Sequence, residues 1–177
     1  ATTMGAVQRS RPRWRGWLVP AAMAFLSFAL VTSLGLWAAA RLSGGGDIPK
    51  ELGGLALVRV EKGRDAVASI MGMHQGSFPL RDGWVAYYEQ GATVWLGETG
   101  SETESQRLVQ AMATAIAGGS TPFAPPQRMA VGGTTMFTTT DGKQSHFFYS
   151  TGTRIVWITV PPGGTVLFLR DAIRALR

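Results

Sequence analysis

Few side chains in this 177-residue sequence are equipped for chemistry, and their spacing limits what each can do. There are two histidines, His74 and His146, and no cysteine. A zinc or copper site takes three or four ligands, so without thiolates it must draw on carboxylates or methionines. Met71, Met73 and His74 make one such cluster, M-x-M-H, with the soft donors that suit Cu(I). Met71 also lies on an apolar helical stripe, where methionine fills gaps, and packing at a helix end is the reading the pattern favours. The lack of cysteine removes disulfides, thiol nucleophiles, iron–sulfur ligation and C-x-x-C-H haem attachment.

Nucleophilic catalysis needs a hydroxyl or thiol beside a base held by a third group. Ser145 and His146 are neighbours in a strand-like run, so their side chains point to opposite faces. No G-x-S-x-G elbow occurs. Glu102 and Glu104 are explained by their place in a first helical turn, where carboxylates cap and meet the helix dipole. The glycine runs at 44–46, 53–54, 118–119, 132–133 and 163–164 match neither a phosphate-binding loop nor a dinucleotide fingerprint and read as turns. No catalytic residue, metal ligand or cofactor is expected. An enzyme would need a pocket that sets His74 or His146 beside an acid.

The strongest feature is the charge-free run from Leu18 to Ala40. About 20 apolar residues cross a hydrocarbon core of roughly 30 Å as a helix, the form that satisfies its own backbone in lipid. A transmembrane helix is therefore expected over 17–40, with Pro20 in its first turn and Trp14, Trp17 and Trp37 near the headgroups. The Ala38-Ala39-Ala40 triplet resembles a signal-peptidase site, but the run exceeds the usual apolar region of about 7–15 residues. No polar stripe marks a soluble core helix. Within the span, Ala29, Ser33 and Ala40 fall roughly on one face, a candidate contact for a second membrane helix.

Charge is unevenly placed. Residues 1–16 hold Arg9, Arg11, Arg13 and Arg15 and no acid, whereas residues 41–177 hold 13 basic against 11 acidic side chains. The basic arm reads as a cytoplasmic flank attracted to anionic lipid, with the rest of the chain outside the cell membrane. A nearly neutral domain gives no footprint for nucleic acid. Residues 41–47 form a Gly/Ser tether reaching only ~15 Å, and residues 48–177 form the extracytoplasmic domain.

Within that domain, strand-like runs are expected at 55–61, 84–89, 93–98, 128–131, 134–139, 144–150 and 154–160. Helical periodicity appears over 64–74, over 105–116 behind a Ser101–Glu104 capping box, and over 165–176. Adjacent hairpins with interspersed helices predict the α+β class, a mostly antiparallel sheet of six to seven strands packed with about three helices. Alternation places Trp84, Ala86 and Tyr88 on one sheet face and Val85 and Tyr87 on the other. Either both faces are covered, or aromatics such as Trp84, Tyr88 and Trp95 form an exposed surface for a partner.

The segments WVAYYE (84–89), SETESQRLVQAMATAI (101–116) and HFFYSTGTRIVWITV (146–160) together resemble uncharacterised single-pass bacterial and archaeal membrane proteins with a small α+β outer domain. The resemblance spans residues 48–176, implies fold and topology, and carries no functional residue. Anchor, tether and near-neutral domain lead to the expectation of a non-catalytic accessory subunit of a larger membrane complex, of the respiratory or photosynthetic electron-transfer kind, whose partners are lipid and other subunits. The alternative is a membrane-anchored ligand-binding or sensor domain, which a deep aromatic pocket would distinguish.

Overall fold

The structure, a computed structural model, describes residues 47–72, 79–119, 121–163 and 166–177. Eight strands occur among them: β1 (Glu51–Leu52), β2 (Leu55–Lys62), β3 (Asp82–Tyr88), β4 (Thr93–Glu98), β5 (Gln127–Val131), β6 (Thr134–Thr140), β7 (Ser145–Thr151) and β8 (Arg154–Val160). The helices are α1 (Gly63–Gly72), α2 (Glu102–Ala117) and α3 (Val166–Ala175). The strands form one sheet in the order β1-β2-β3-β4-β8-β7-β6-β5, with every neighbouring pair antiparallel. Two four-stranded meanders thus meet at the β4–β8 pair.

The α+β class and the antiparallel sheet agree with the sequence pattern; the strand count is one higher than expected. The extra strand, β1, has only two residues, too few to show a period. What makes it is the turn after it, where Gly53 and Gly54 both take positive φ (56° and 83°), as a two-residue hairpin turn requires. No helix of the described residues is long and apolar enough to cross a membrane. The expected span at 17–40, with Arg9, Arg11, Arg13, Arg15, Trp14, Trp17, Trp37, Ala29, Ser33 and Ala40, lies outside the described residues, as does the tether up to residue 46.

Alternating side chains divide the core between the two sheet faces. On one face Trp84, Ala86, Tyr88, Val94, Leu96, Val156 and Ile158 pack against Phe168, Leu169, Ala172 and Ile173 of α3. On the other, α1 covers Val85 through Ala66 and Ile70, while α2 sets Leu108, Val109, Met112, Ala113 and Ile116 against Phe148 and Ile155.

Helix α2 begins where the capping pattern puts it. Ser101 is its N-cap and accepts the Glu104 N–H at 3.2 Å. The Glu104 carboxylate reaches back one residue beyond the usual box, accepting the Gly100 N–H at 2.8 Å. Buried Ser105 locks the helix to the β7–β8 turn, its Oγ lying 2.7 Å from the Gly152 carbonyl. Helix α1 ends its described course at Gly72; Met73 and His74 lie outside the described residues, and Met71 is half-buried.

Candidate functional site: an aromatic cleft between the two helices

Strand register builds the site. One cross-strand row on the α1/α2 face runs Phe137, Phe148, Trp157, Trp95, Val85. The next runs Thr139, His146, Thr159, Thr93, Tyr87. An aromatic row therefore lies beside a hydroxyl- and imidazole-bearing one. Helix α1 covers one end of these rows and α2 the other, and between them the floor is open.

The opening is a cleft of about 350 Å³. Its floor is Thr93, Trp95, His146, Trp157 and Thr159; Met112, Ala115 and Ile116 of α2 form one wall, and Thr121 and Phe123 another. No Lys, Arg, Asp or Glu lines it. Phe123 belongs to the proline-rich crossing after α2, which is pinned along β6 by the Ala124 N–H to the Thr140 carbonyl (2.8 Å) and by the Thr139 hydroxyl to the Ala124 carbonyl (2.5 Å). Three prolines keep that segment out of the ladder, and the two bonds hold it as a wall.

The rings are mutually ordered. Phe148 and Trp157 stack with centroids 4.9 Å apart and planes 10° apart, and Phe137 stacks on Phe148 at 5.3 Å. Phe123 meets the His146 ring edge-on at 4.9 Å and tilts against Trp157 at 5.5 Å. At the other end, Tyr87 meets Trp95 edge-on at 6.2 Å. The Tyr87 hydroxyl donates to Glu61 (3.1 Å), whose other oxygen accepts from Ser69 of α1 (2.8 Å). That Ser69 bond is the largest reason the Glu61 carboxyl sits below its ordinary range, and burial raises the Tyr87 hydroxyl.

His146 is 5 % exposed, and its Nδ1 is crowded. Trp157 Nε1–H donates to it at 3.3 Å, and the Thr159 Oγ lies 3.1 Å away. Accepting from Trp157 places the ring proton on Nε2, which has no hydrogen-bond partner and lies 3.7 Å from Asp141 Oδ2. Burial pushes the imidazole below its ordinary value, and the Asp141 carboxylate only partly opposes this. Asp141 is itself held below the usual carboxylate range by the N–H groups of Gln144 and Lys143, at 2.7 and 2.8 Å. The Asp-Gly signal thus becomes a four-residue loop closed by an Asx turn, and that loop brings an acid to His146.

Hydroxyl, imidazole and carboxylate stand in line as Thr159, His146 and Asp141, the arrangement an acyl-transfer site would use. Two details turn it away from that chemistry. The basic nitrogen is already taken by the Trp157 N–H, and the distance to Asp141 exceeds a hydrogen bond. What remains is a rigid polar edge on an apolar cleft.

Of the aromatics considered for a partner surface, Trp95 is half-buried on the cleft floor, while Trp84 and Tyr88 are each only 3 % exposed beneath α3. Of the two alternatives, covered faces or a common aromatic surface, the side chains fit the first: β3 alternation sends Trp84 and Tyr88 to the face opposite Trp95, where Tyr88 packs edge-on against Phe168 at 5.3 Å. Sequence reasoning missed Thr93, Phe123 and Thr159 as cleft residues. No family model matches the sequence, no curated protein matches it, and no solved structure matches the chain.

Proposed function

We propose that this chain is a membrane-tethered binding domain, its basic arm inside and its sheet outside, whose cleft takes an uncharged, flat, mostly apolar molecule bearing one or two hydrogen-bonding groups. The observation that carries this reading is the cleft lining: two tryptophans, Phe123, Met112 and Ile116 with a few convergent hydroxyls and no formal charge. Sites for small molecules combine an apolar wall with a few placed polar groups, at volumes of roughly 300–1,000 Å³. A charged ligand would lose its hydration with nothing to replace it. The neutral state favoured for His146 by burial keeps the polar edge uncharged at neutral pH. Trp84 and Tyr88, two of the candidates for a partner surface, are buried on the opposite face of the sheet and take no part in the cleft.

The test is a steric block. Ala115 lies on the exposed side of α2 and lines the cleft, so Ala115→Trp fills it without entering the core. The full chain in detergent should bind the neutral fluorophore N-phenyl-1-naphthylamine saturably above the micelle background, and the blocked variant should retain only that background. Equal binding by the two proteins would refute the cleft as the site.

A further inference from the structure

The outward side of α3 carries a feature the cleft does not explain. Its exposed residues include Val166 (77 %), Leu167 (45 %), Arg170 and Arg174, with Arg177 just beyond the helix. At about 100° per residue, those four helical positions fall within an arc of roughly 100°. Arg170, Arg174 and Arg177 line one shallow depression of about 240 Å³ beside Gly132. The acid in this helix, Asp171, is engaged by the Gly53 N–H at 3.2 Å and by Arg174 at 3.7 Å, and Arg177 donates to the Gly132 carbonyl. Apolar side chains exposed next to a cluster of arginines make a pattern suited to the headgroup–acyl boundary of a bilayer.

The path of the chain at Asp47 says which surface such a face would meet. Ile48 packs against the core cluster that contains Phe168 and Leu169, and the Tyr88 hydroxyl holds the Pro49 carbonyl at 2.9 Å. The segment entering the domain therefore runs beside α3. It follows a seven-residue tether of ~15 Å reach and the apolar run ending at Ala40.

We infer that the exposed face of α3 docks on the anionic phospholipid surface from which the domain is tethered, with Val166 and Leu167 inserted at headgroup depth and Arg170, Arg174 and Arg177 on lipid phosphates. This rests on the anchoring part of the proposed function. The cleft opens on the opposite face of the sheet, so the docked domain presents it to water.

The chain has no cysteine, which makes single-site labelling clean. A nitroxide is placed at Leu167→Cys or, on the exposed side of α2, at Ala111→Cys, and the full chain is reconstituted in phosphatidylglycerol–phosphatidylcholine vesicles. Power saturation against oxygen and an aqueous nickel chelate should put the Leu167 label at headgroup depth and the Ala111 label in water. Arg170→Glu with Arg174→Glu, or pure phosphatidylcholine, should return the Leu167 label to water. A chain retained through carbonate extraction whose Leu167 label stays as aqueous as that at Ala111 overturns the docking and keeps the anchor. A chain stripped by carbonate whose Leu167 label nevertheless read headgroup depth would overturn the anchor and keep the docking face.

Discussion

Trp95 and Trp157 stand directly opposite each other across the β4–β8 pair that joins the two meanders. Both are half-buried and both floor the cleft, so the seam of the sheet is also the base of the proposed site. Their surroundings differ: Trp157 is stacked on Phe148 and bonded to His146, whereas Trp95 meets the edge of Tyr87.

Trp95→Leu and Trp157→Leu should each weaken binding of a neutral aromatic probe by about three- to tenfold, the equivalent of one aromatic contact. Trp157→Leu should also lower the melting temperature more than Trp95→Leu, because it breaks the stack on Phe148 and removes one of the two partners of the buried His146 Nδ1. Parallel titrations and thermal melts of the two variants check both parts.

Stability should fall with pH through His146. Its folded-state value is depressed by burial, so the unfolded chain binds a proton first, near pH 6.5, and stabilisation present above that value is lost as pH falls through the folded value. Asp141 adds a loss at lower pH, below the ordinary carboxylate range. Melting curves from pH 7.5 to 5 should slope downward for the wild type and less for His146→Gln. Equal slopes would show that the ring is not buried neutral.

The β1–β2 turn offers a paired comparison. A Cβ on Gly53 would sit 2.6 Å from the Phe168 Cα, while one on Gly54 meets nothing within 4 Å, although both residues have positive φ. Gly54→Ala should cost roughly 1 kcal/mol from backbone strain alone, and Gly53→Ala clearly more because α3 must move. Denaturant midpoints at unchanged m-value would measure the difference.

The sheet was legible because hairpin turns and alternation are local: Gly132-Gly133, Thr151-Gly152 and the Trp84–Tyr88 alternation each act within a few residues. The cleft was not, because its rows depend on register between strands far apart in sequence. Nothing near Thr159 announces that it faces Thr93, or that α1 and α2 leave a gap above them. His146 was visible as a residue, but the acid beside it comes from a loop conformation, and Phe123 from a crossing whose path is set by two bonds to β6. The eighth strand escaped for the opposite reason, being too short to carry a pattern.

Two serines at the start of α2 should separate a surface cap from a buried tie. Ser101→Ala removes an exposed N-cap bond and should cost about 0.5–2 kcal/mol. Ser105→Ala removes a buried hydroxyl and its bond to the Gly152 carbonyl of the β7–β8 turn and should cost about 0.5–1.5 kcal/mol. If Ser105→Ala melts like the wild type, the hydroxyl does not tie the helix to the β7–β8 turn.

Binding in the cleft is tested most directly by the indole N–H resonances of the full chain during titration with neutral naphthalene-sized molecules. The Trp95 resonance, together with the Trp157 signal bonded to His146, should shift saturably. Trp84, beneath α3 on the far face, should stay where it is. Resonances that never saturate, or a Trp84 shift as large as that of Trp95, would contradict a binding site between the two helices.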